Sequence, residues 1–312
     1  MKNKKFIIKI LEKASEPVSG ESIAKKLGIS RTAVWKNVQA LKKEGYQIET
    51  THKGYRLINS PNFIDEEILK KLPYKIYYFR KISSTMDVAK ELGERGEEAL
   101  VIAEVQTSGR GRLGRVWISP EGGIWMSLVI KPSFSLKEAF LLTYIASLAI
   151  GLAIKETTGL KIKLKWPNDV LYQKENEEKK LAGVLLEIKA EVDQLKYAVI
   201  GIGINVNNEI NSFEPFAVSL KEILKKEIKR EDLIIEIVGK IQKYLKMPSE
   251  KIISDWKKLS STLGKSVKII QPQREIRGLA FDLAEDGALL LKTKEGKIEK
   301  IYSGDCIHLR YY

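Results

Sequence analysis

The chain has 312 residues, 44% of them hydrophobic and 30% charged, with a formal net charge of +14. That length accommodates two or three domains and a sizeable core. A single cysteine, Cys306, excludes an internal disulfide framework and fits a reducing cytoplasm; with only His52 and His308 as histidines, a Ser-His-Asp triad or a His/Cys zinc site is not expected.

The positive charge is unevenly spread. Met1 to Ser60 holds 13 lysines and arginines against 5 acidic residues, a surplus that points to a polyanionic partner for this part. Phe6, Ile7, Ile10 and Leu11 recur at helical spacing. Ser19 is placed to cap a second helix whose Ile23, Ala24 and Leu27 face inward, and Gly28-Ile29 makes a tight turn. Ser30 then opens a third helix with Val34, Val38 and Leu41 on its buried face and Arg31, Thr32, Trp35, Lys36 and Gln39 on the other. Tyr46–Thr50 and Tyr55–Ile58 alternate about a turn at 51–54, as a hairpin does. This order is the winged helix-turn-helix plan, whose third helix enters the major groove. A helical bundle docking a protein is the blander reading, and the charge favours DNA. The basic start at Lys2, Lys4 and Lys5 precedes only a short amphipathic run, unlike a signal peptide.

The middle of the chain reads as α+β. A helix over 65–72, a strand over 76–79 and a helix opened by Ser83-Ser84-Thr85-Met86-Asp87 are expected. Ser84 and Asp87 have capping-box spacing. A buried strand, Leu100–Val105, then delivers Gln106 and the densest motif, Gly109-Arg110-Gly111-Arg112-Leu113-Gly114-Arg115. Glycines let the backbone approach a ligand, a nest of N–H groups binds anions, and arginine forks match phosphate oxygens. A mobile cationic loop closing over a polyphosphate or acyl phosphate is the favoured reading; a solvated basic turn is the alternative. The spacing also fits G-x-G-x-x-G, but no helix follows Val116-Trp117-Ile118-Ser119-Pro120, and no acidic residue lies between Gly122 and Lys137. A P-loop fails too, because Arg115-Val116 stands where Lys-Ser/Thr is required.

A strand over 124–130 and a long apolar helix over 139–154, expected buried and not membrane-spanning, come next. Lys165-Trp166-Pro167-Asn168-Asp169 follows a short strand, and a carboxylate beside phosphates is a common way to hold Mg²⁺. After a charged turn at 174–179, Lys180-Leu181-Ala182-Gly183 enters an apolar strand, and a further strand ends in Gly201-Ile202-Gly203-Ile204-Asn205. Helices are expected over 231–245 and 251–260. The last fifty residues alternate in four short strands separated by Asp286-Gly287 and Glu295-Gly296 turns. They suggest a small β-barrel of SH3 size without a reactive constellation of its own.

Four of these motifs, Gly109–Arg115, Lys165–Asp169, Lys180–Gly183 and Gly201–Asn205, standing in this order behind a winged helix, resemble the bifunctional biotin–protein ligase and biotin operon repressor family. The resemblance covers the whole chain. It implies a winged helix-turn-helix domain over 1–60, a catalytic α+β domain with a mixed sheet over 61–262, and an SH3-like β-barrel over 263–312. It implies that ATP and Mg²⁺ activate biotin to biotinyl-5'-AMP, that a lysine of the biotin carboxyl carrier protein of acetyl-CoA carboxylase accepts the acyl group, and that a ligand-promoted homodimer represses biotin genes at operator DNA. The setting is cytoplasmic, with no membrane partner.

By this resemblance Ser84, Thr85, Gln106, Gly109, Arg110, Gly111, Arg112, Lys180, Gly183, Gly201 and Gly203 meet biotin. Arg112, Arg115, Trp117, Lys165, Asn168 and Asn205 meet the nucleotide. Arg112, Arg115 and Lys180 carry catalysis, and Asp169 is the Mg²⁺ candidate. Arg31, Thr32, Trp35, Lys36 and Gln39 face DNA. Met86 stands where many members carry a polar residue. A lipoate or octanoate ligase and a biotin-sensing regulator without ligase activity are the alternatives. The winged helix and Lys165–Asp169 argue against the first, and intact Arg112, Arg115 and Lys180 against the second.

Overall fold

The computed structural model describes residues 2–132, 134–135, 138–175, 177–191, 194–210 and 214–309. The chain forms two compact units, residues 1–63 and 64–312.

In the first unit, α1 (Lys2–Glu12), α2 (Gly20–Leu27) and α3 (Arg31–Lys43) precede a hairpin of β1 (Gln47–Thr51) and β2 (Gly54–Asn59). Both expected caps form. The Ser19 hydroxyl accepts from Ser22 N at 3.1 Å and the Ser30 hydroxyl from Ala33 N at 3.1 Å, each satisfying a backbone donor that the first helical turn leaves open. Between α2 and α3 the chain turns through Gly28, whose φ of 65° is left-handed and favours glycine. Ile7, Ile8, Leu11, Ile23, Val34, Val38, Leu41 and Ile48 make the core. Phe6, expected inside, is exposed and Ile8 takes its place.

The second unit is built on a seven-stranded mixed sheet of order β3-β4-β5-β9-β8-β7-β6. It begins with a single-turn α4 (Glu66–Leu69), shorter than expected, then β3 (Lys75–Ile82), α5 (Thr85–Glu94), β4 (Ala99–Gln106) and β5 (Ile124–Ile130). Next come α6 (Leu141–Thr158), β6 (Ile162–Lys165), β7 (Asp169–Lys174), β8 (Glu177–Glu191) and β9 (Gln194–Ile204). Only β3 and β4 run parallel. Most of the charged stretch read as a turn over 174–179 is strand, because Lys174↔Glu177 and Tyr172↔Lys179 pair across the β7–β8 hairpin. Alternation along β4 sends Ala99 and Val101 to the α5 face and Leu100 and Ile102 to the α6 face. By length and composition α6 could cross a bilayer, yet 67% of it is buried inside the unit, against the sheet and the helices α8 and α9 described next.

The chain continues through α7 (Leu220–Leu224), α8 (Arg230–Tyr244) and α9 (Ser249–Leu259) into an antiparallel sheet. Its strands are β10 (Ser266–Gln271), β11 (Arg274–Leu283), β12 (Leu289–Lys292), β13 (Ile298–Ile301) and β14 (Asp305–His308), in the order β13-β12-β11-β10-β14. Both α7 and β14 escape the periodicity reading, each being only four or five residues long. Val267, Ile269, Leu289, Leu291 and Ile301 join the same apolar core as α6, so the last sheet packs into the body of the unit.

One buried ion pair ties the start of this unit together. Glu104 of β4 and Arg230 of α8, both with side chains 1% exposed, meet at 2.9 Å. Arg230 also donates to the Gly123 carbonyl at 2.7 Å, and Glu104 accepts from Ile64 N and from the Tyr78 hydroxyl, each at 2.6 Å. Glu231 accepts from Asp65 N at 2.7 Å. Removing one member of a buried pair strands the other charge, which costs about 3–5 kcal/mol. Glu104→Ala is therefore expected to lower the unfolding free energy of the 64–312 unit by that amount and its urea midpoint accordingly; a midpoint unchanged in urea titration would contradict the clamp.

Candidate active site

At the end of the sheet where β4 hands over to the glycine–arginine turn lies a cavity of about 560 Å³. Ser84 caps α5, accepting from Met86 N at 3.3 Å, and Asp87 takes no part in a capping box. Thr85 donates to Gln106 Oε1 from its amide at 2.8 Å and its hydroxyl at 3.0 Å, while Gln106 Nε2 donates to Ser119 Oγ at 2.9 Å. The Thr85 hydroxyl also lies 2.8 Å from that of Ser127. Buried polar atoms seek such partners. The wall residues Ser84, Thr85 and Gln106 thus come as one fixed set.

The glycine–arginine turn folds back on itself through Trp117 N to Gly109 O at 2.9 Å and Gly111 N to Arg115 O at 2.7 Å. Its arginines diverge. Arg110 pairs with Asp87, Arg115 pairs with Asp305, and Arg112 donates to Asn168 Oδ1 at 3.2 Å and to the Gly304 carbonyl at 3.4 Å. Burial lowers the pKa of Arg112, with Asp305 and Asp169 working against the shift. Lys180 is 2.7 Å from Asp169 and lies over the Trp117 ring, 5.1 Å from its centre. Arg110, Arg112, Arg115 and Lys180 therefore each have a partner of negative or carbonyl character.

Glycines make the room. A Cβ on Gly203 would stand 2.5 Å from Trp117 Nε1, and one on Gly201 would stand 2.6 Å from Met86 Sδ. Trp117 packs over Gly203 and Gly183, and its buried indole N–H has no hydrogen-bond partner. The Lys165–Asp169 segment is pinned from behind: Trp166 N donates to Thr262 Oγ1 at 3.0 Å, and Trp166 Nε1 donates to the Tyr144 hydroxyl at 2.9 Å, which donates to Gly287 O at 2.5 Å.

All the ligand-contact residues expected from sequence line this cavity except Gly109, whose missing side chain instead admits the Trp117 carbonyl and Ser119. Lys165, Asn168 and Asn205 are on the wall, but the Asn205 side chain accepts from Asn208 at 3.1 Å and so shapes its own turn. Sequence reasoning missed Asp87, Phe216, Gly304 and Asp305. The last two lie in the final fifty residues, which show no reactive constellation of their own in the sequence, and they hold Arg112 and Arg115 from there. No local pattern marks an aspartate that becomes a partner 190 residues away.

Asp169 is a lone carboxylate engaged by Lys180, and among the described residues no cluster of three His, Cys, Asp or Glu side chains could hold a metal. That donor set suits a Mg²⁺ arriving on nucleotide phosphates with its waters, and does not suit a resident ion.

A mixed sheet that ends in a phosphate-suited turn, with a lysine and an asparagine facing it across one cavity, is the arrangement of an acyl-transferring ligase domain; the Biotin/lipoate A/B protein ligase family matches residues 78–205. An HTH domain matches 3–56 and the Biotin protein ligase C terminal domain matches 262–309. The bifunctional ligase/repressor BirA of Bacillus subtilis is 37% identical over 97% of both chains, and that of Escherichia coli is 29% identical over 94% of this chain and 92% of its own. A biotin protein ligase from Aquifex aeolicus, solved in complex with biotin and ATP, superposes with a TM-score of 0.64 at 32% identity, covering 76% of this chain and 99% of that one. The chain belongs to the bifunctional ligase/repressor family.

Proposed function

We propose that this protein activates biotin with ATP to biotinyl-5'-AMP, passes the biotinyl group to a lysine of a biotin carboxyl carrier protein, and represses transcription at operator DNA when it carries the adenylate. The observation that carries the reading is the convergence of Arg110, Arg112, Arg115, Lys165, Asn168 and Lys180 on one cavity floored by Gly183, Gly201 and Gly203. A biotin carboxylate oxygen attacks the α-phosphorus and pyrophosphate leaves. The neutral amine of the carrier lysine then attacks the acyl carbon and AMP leaves. Neither step needs a protein nucleophile. Catalysis is positioning and charge stabilisation, which the cations supply.

In this reading Ser84, Thr85 and Gln106 meet the ureido ring, Gly111 and Arg112 wrap the acyl phosphate, and Trp117 and Asn168 flank the nucleotide. Lys180 leaves Asp169 for the carboxyl and phosphate oxygens, which frees Asp169 for Mg²⁺. Residues 1–60, 61–262 and 263–312 serve as the DNA-binding, catalytic and C-terminal parts of a cytoplasmic protein. Protein mixed with MgATP, biotin and a carrier domain is expected to yield the biotinyl adduct by mass spectrometry; no adduct would refute the ligase reading.

One small winged domain touches few bases, so useful operator affinity needs two of them on a palindromic site. An acyl phosphate competing with Asp87 and Asp305 for Arg110 and Arg115 would reshape the loop surface and favour a dimer. Biotin plus ATP is accordingly expected to tighten operator binding by a coupling of about 1–3 kcal/mol. Equal affinity in an operator titration with and without the two ligands would remove the repressor function.

A further inference from the structure

The outer face of α3 carries one residue that charge does not account for. Arg31, Thr32, Trp35 and Lys36 are exposed there, opposite buried Val34, Val38 and Leu41. Trp35 is 52% exposed, whereas Trp125, Trp166 and Trp256 are buried and Trp117 is half-buried in the cavity. Among the described residues the Trp35 side chain makes no hydrogen bond or ring contact. A single exposed apolar residue is ordinary on a protein surface. Its place is not: Trp35 sits one turn from Arg31 and one from Gln39, centred on the face of the helix that the winged plan sends into the major groove.

We propose that Trp35 is a base-reading residue selective for thymine, an inference that rests on the operator-binding reading above. The argument is one of matching edges. Indole offers a single donor, Nε1–H, at the rim of a large apolar body, and no acceptor. In the major groove thymine presents the O4 acceptor beside the C5 methyl group. Cytosine sets an N4 donor at the same place, which would confront the indole N–H donor to donor, and guanine presents acceptors without a methyl. The partner is duplex DNA because the surrounding helix face is cationic and the first 60 residues carry a surplus of eight positive charges. Arg31 and Lys36 supply the phosphate attraction that is blind to sequence, and Trp35 supplies a preference for thymine within each half-site.

The test uses the full-length protein with biotin and ATP to select duplexes from a random library, followed by anisotropy titrations. Each thymine of the selected duplex is replaced in turn by uracil, which keeps O4 and loses only the methyl. One position per half-site is expected to weaken wild-type binding roughly fivefold or more on uracil substitution, and more again on cytosine substitution. Trp35→Ala, with its fold checked by circular dichroism, is expected to bind thymine and uracil duplexes alike at that position. Trp35→Phe keeps the methyl contact and the uracil sensitivity. Wild-type binding indifferent to uracil throughout, or a Trp35→Ala protein that retains the sensitivity, would overturn the proposal. A selection that enriches no duplex at all would instead bring down the operator-binding reading, and this inference with it.

Discussion

Replacing Arg112 or Lys180 by alanine is expected to slow ligation by roughly a hundredfold, about 3 kcal/mol of transition-state stabilisation for each preorganised charged donor. The two residues reach the same cavity from different elements. Arg112 comes from the glycine–arginine turn and is braced by Asn168 and Gly304, while Lys180 comes from β8 and is held by Asp169. His52 and His308 are the only histidines and neither lines the cavity, so the charge stabilisation falls to the arginines and lysines. The losses are expected in the rate of adenylate formation, and Arg112→Ala should in addition release the adenylate faster. Pyrophosphate release and carrier biotinylation measured separately make the distinction. Near-normal ligation by both variants would remove these residues from the chemistry.

A chain beginning at Pro61 is expected to biotinylate carrier protein and to lose DNA binding altogether. No cavity residue precedes Ser84, and the cut leaves intact the amides of Ile64 and Asp65, which Glu104 and Glu231 hold. The helix face that meets DNA is removed entire. A shortened protein that folds, by its thermal melt, but forms no adenylate would show that the first unit contributes to the active site.

Much of this was legible in the sequence because its signals are local. Ser19 and Ser30 announce their caps, Val34, Val38 and Leu41 announce a buried helix face, and the glycines of the glycine–arginine run announce the turn that Gly111 N and Arg115 O close. What was not legible depends on chain segments far apart. The Arg115–Asp305 and Glu104–Arg230 pairs join residues separated by 190 and 126 positions. Short elements hid for a different reason. A four-residue strand such as β14 shows too little alternation to register, and the pairing that makes it a strand comes from β10. The misread charged segment of β8 shows the same limit, since its lysines and glutamates look like a turn until β7 is laid beside them.

The last sheet shares its apolar core with α6. Whatever its evolutionary history as a separable module, it has no private interior to melt. Residues 64–312 are therefore expected to melt in one cooperative transition, and a chain ending before Leu263 would leave the α6 side of that core open to water. On that expectation the protein can be cut at one junction and not at the other.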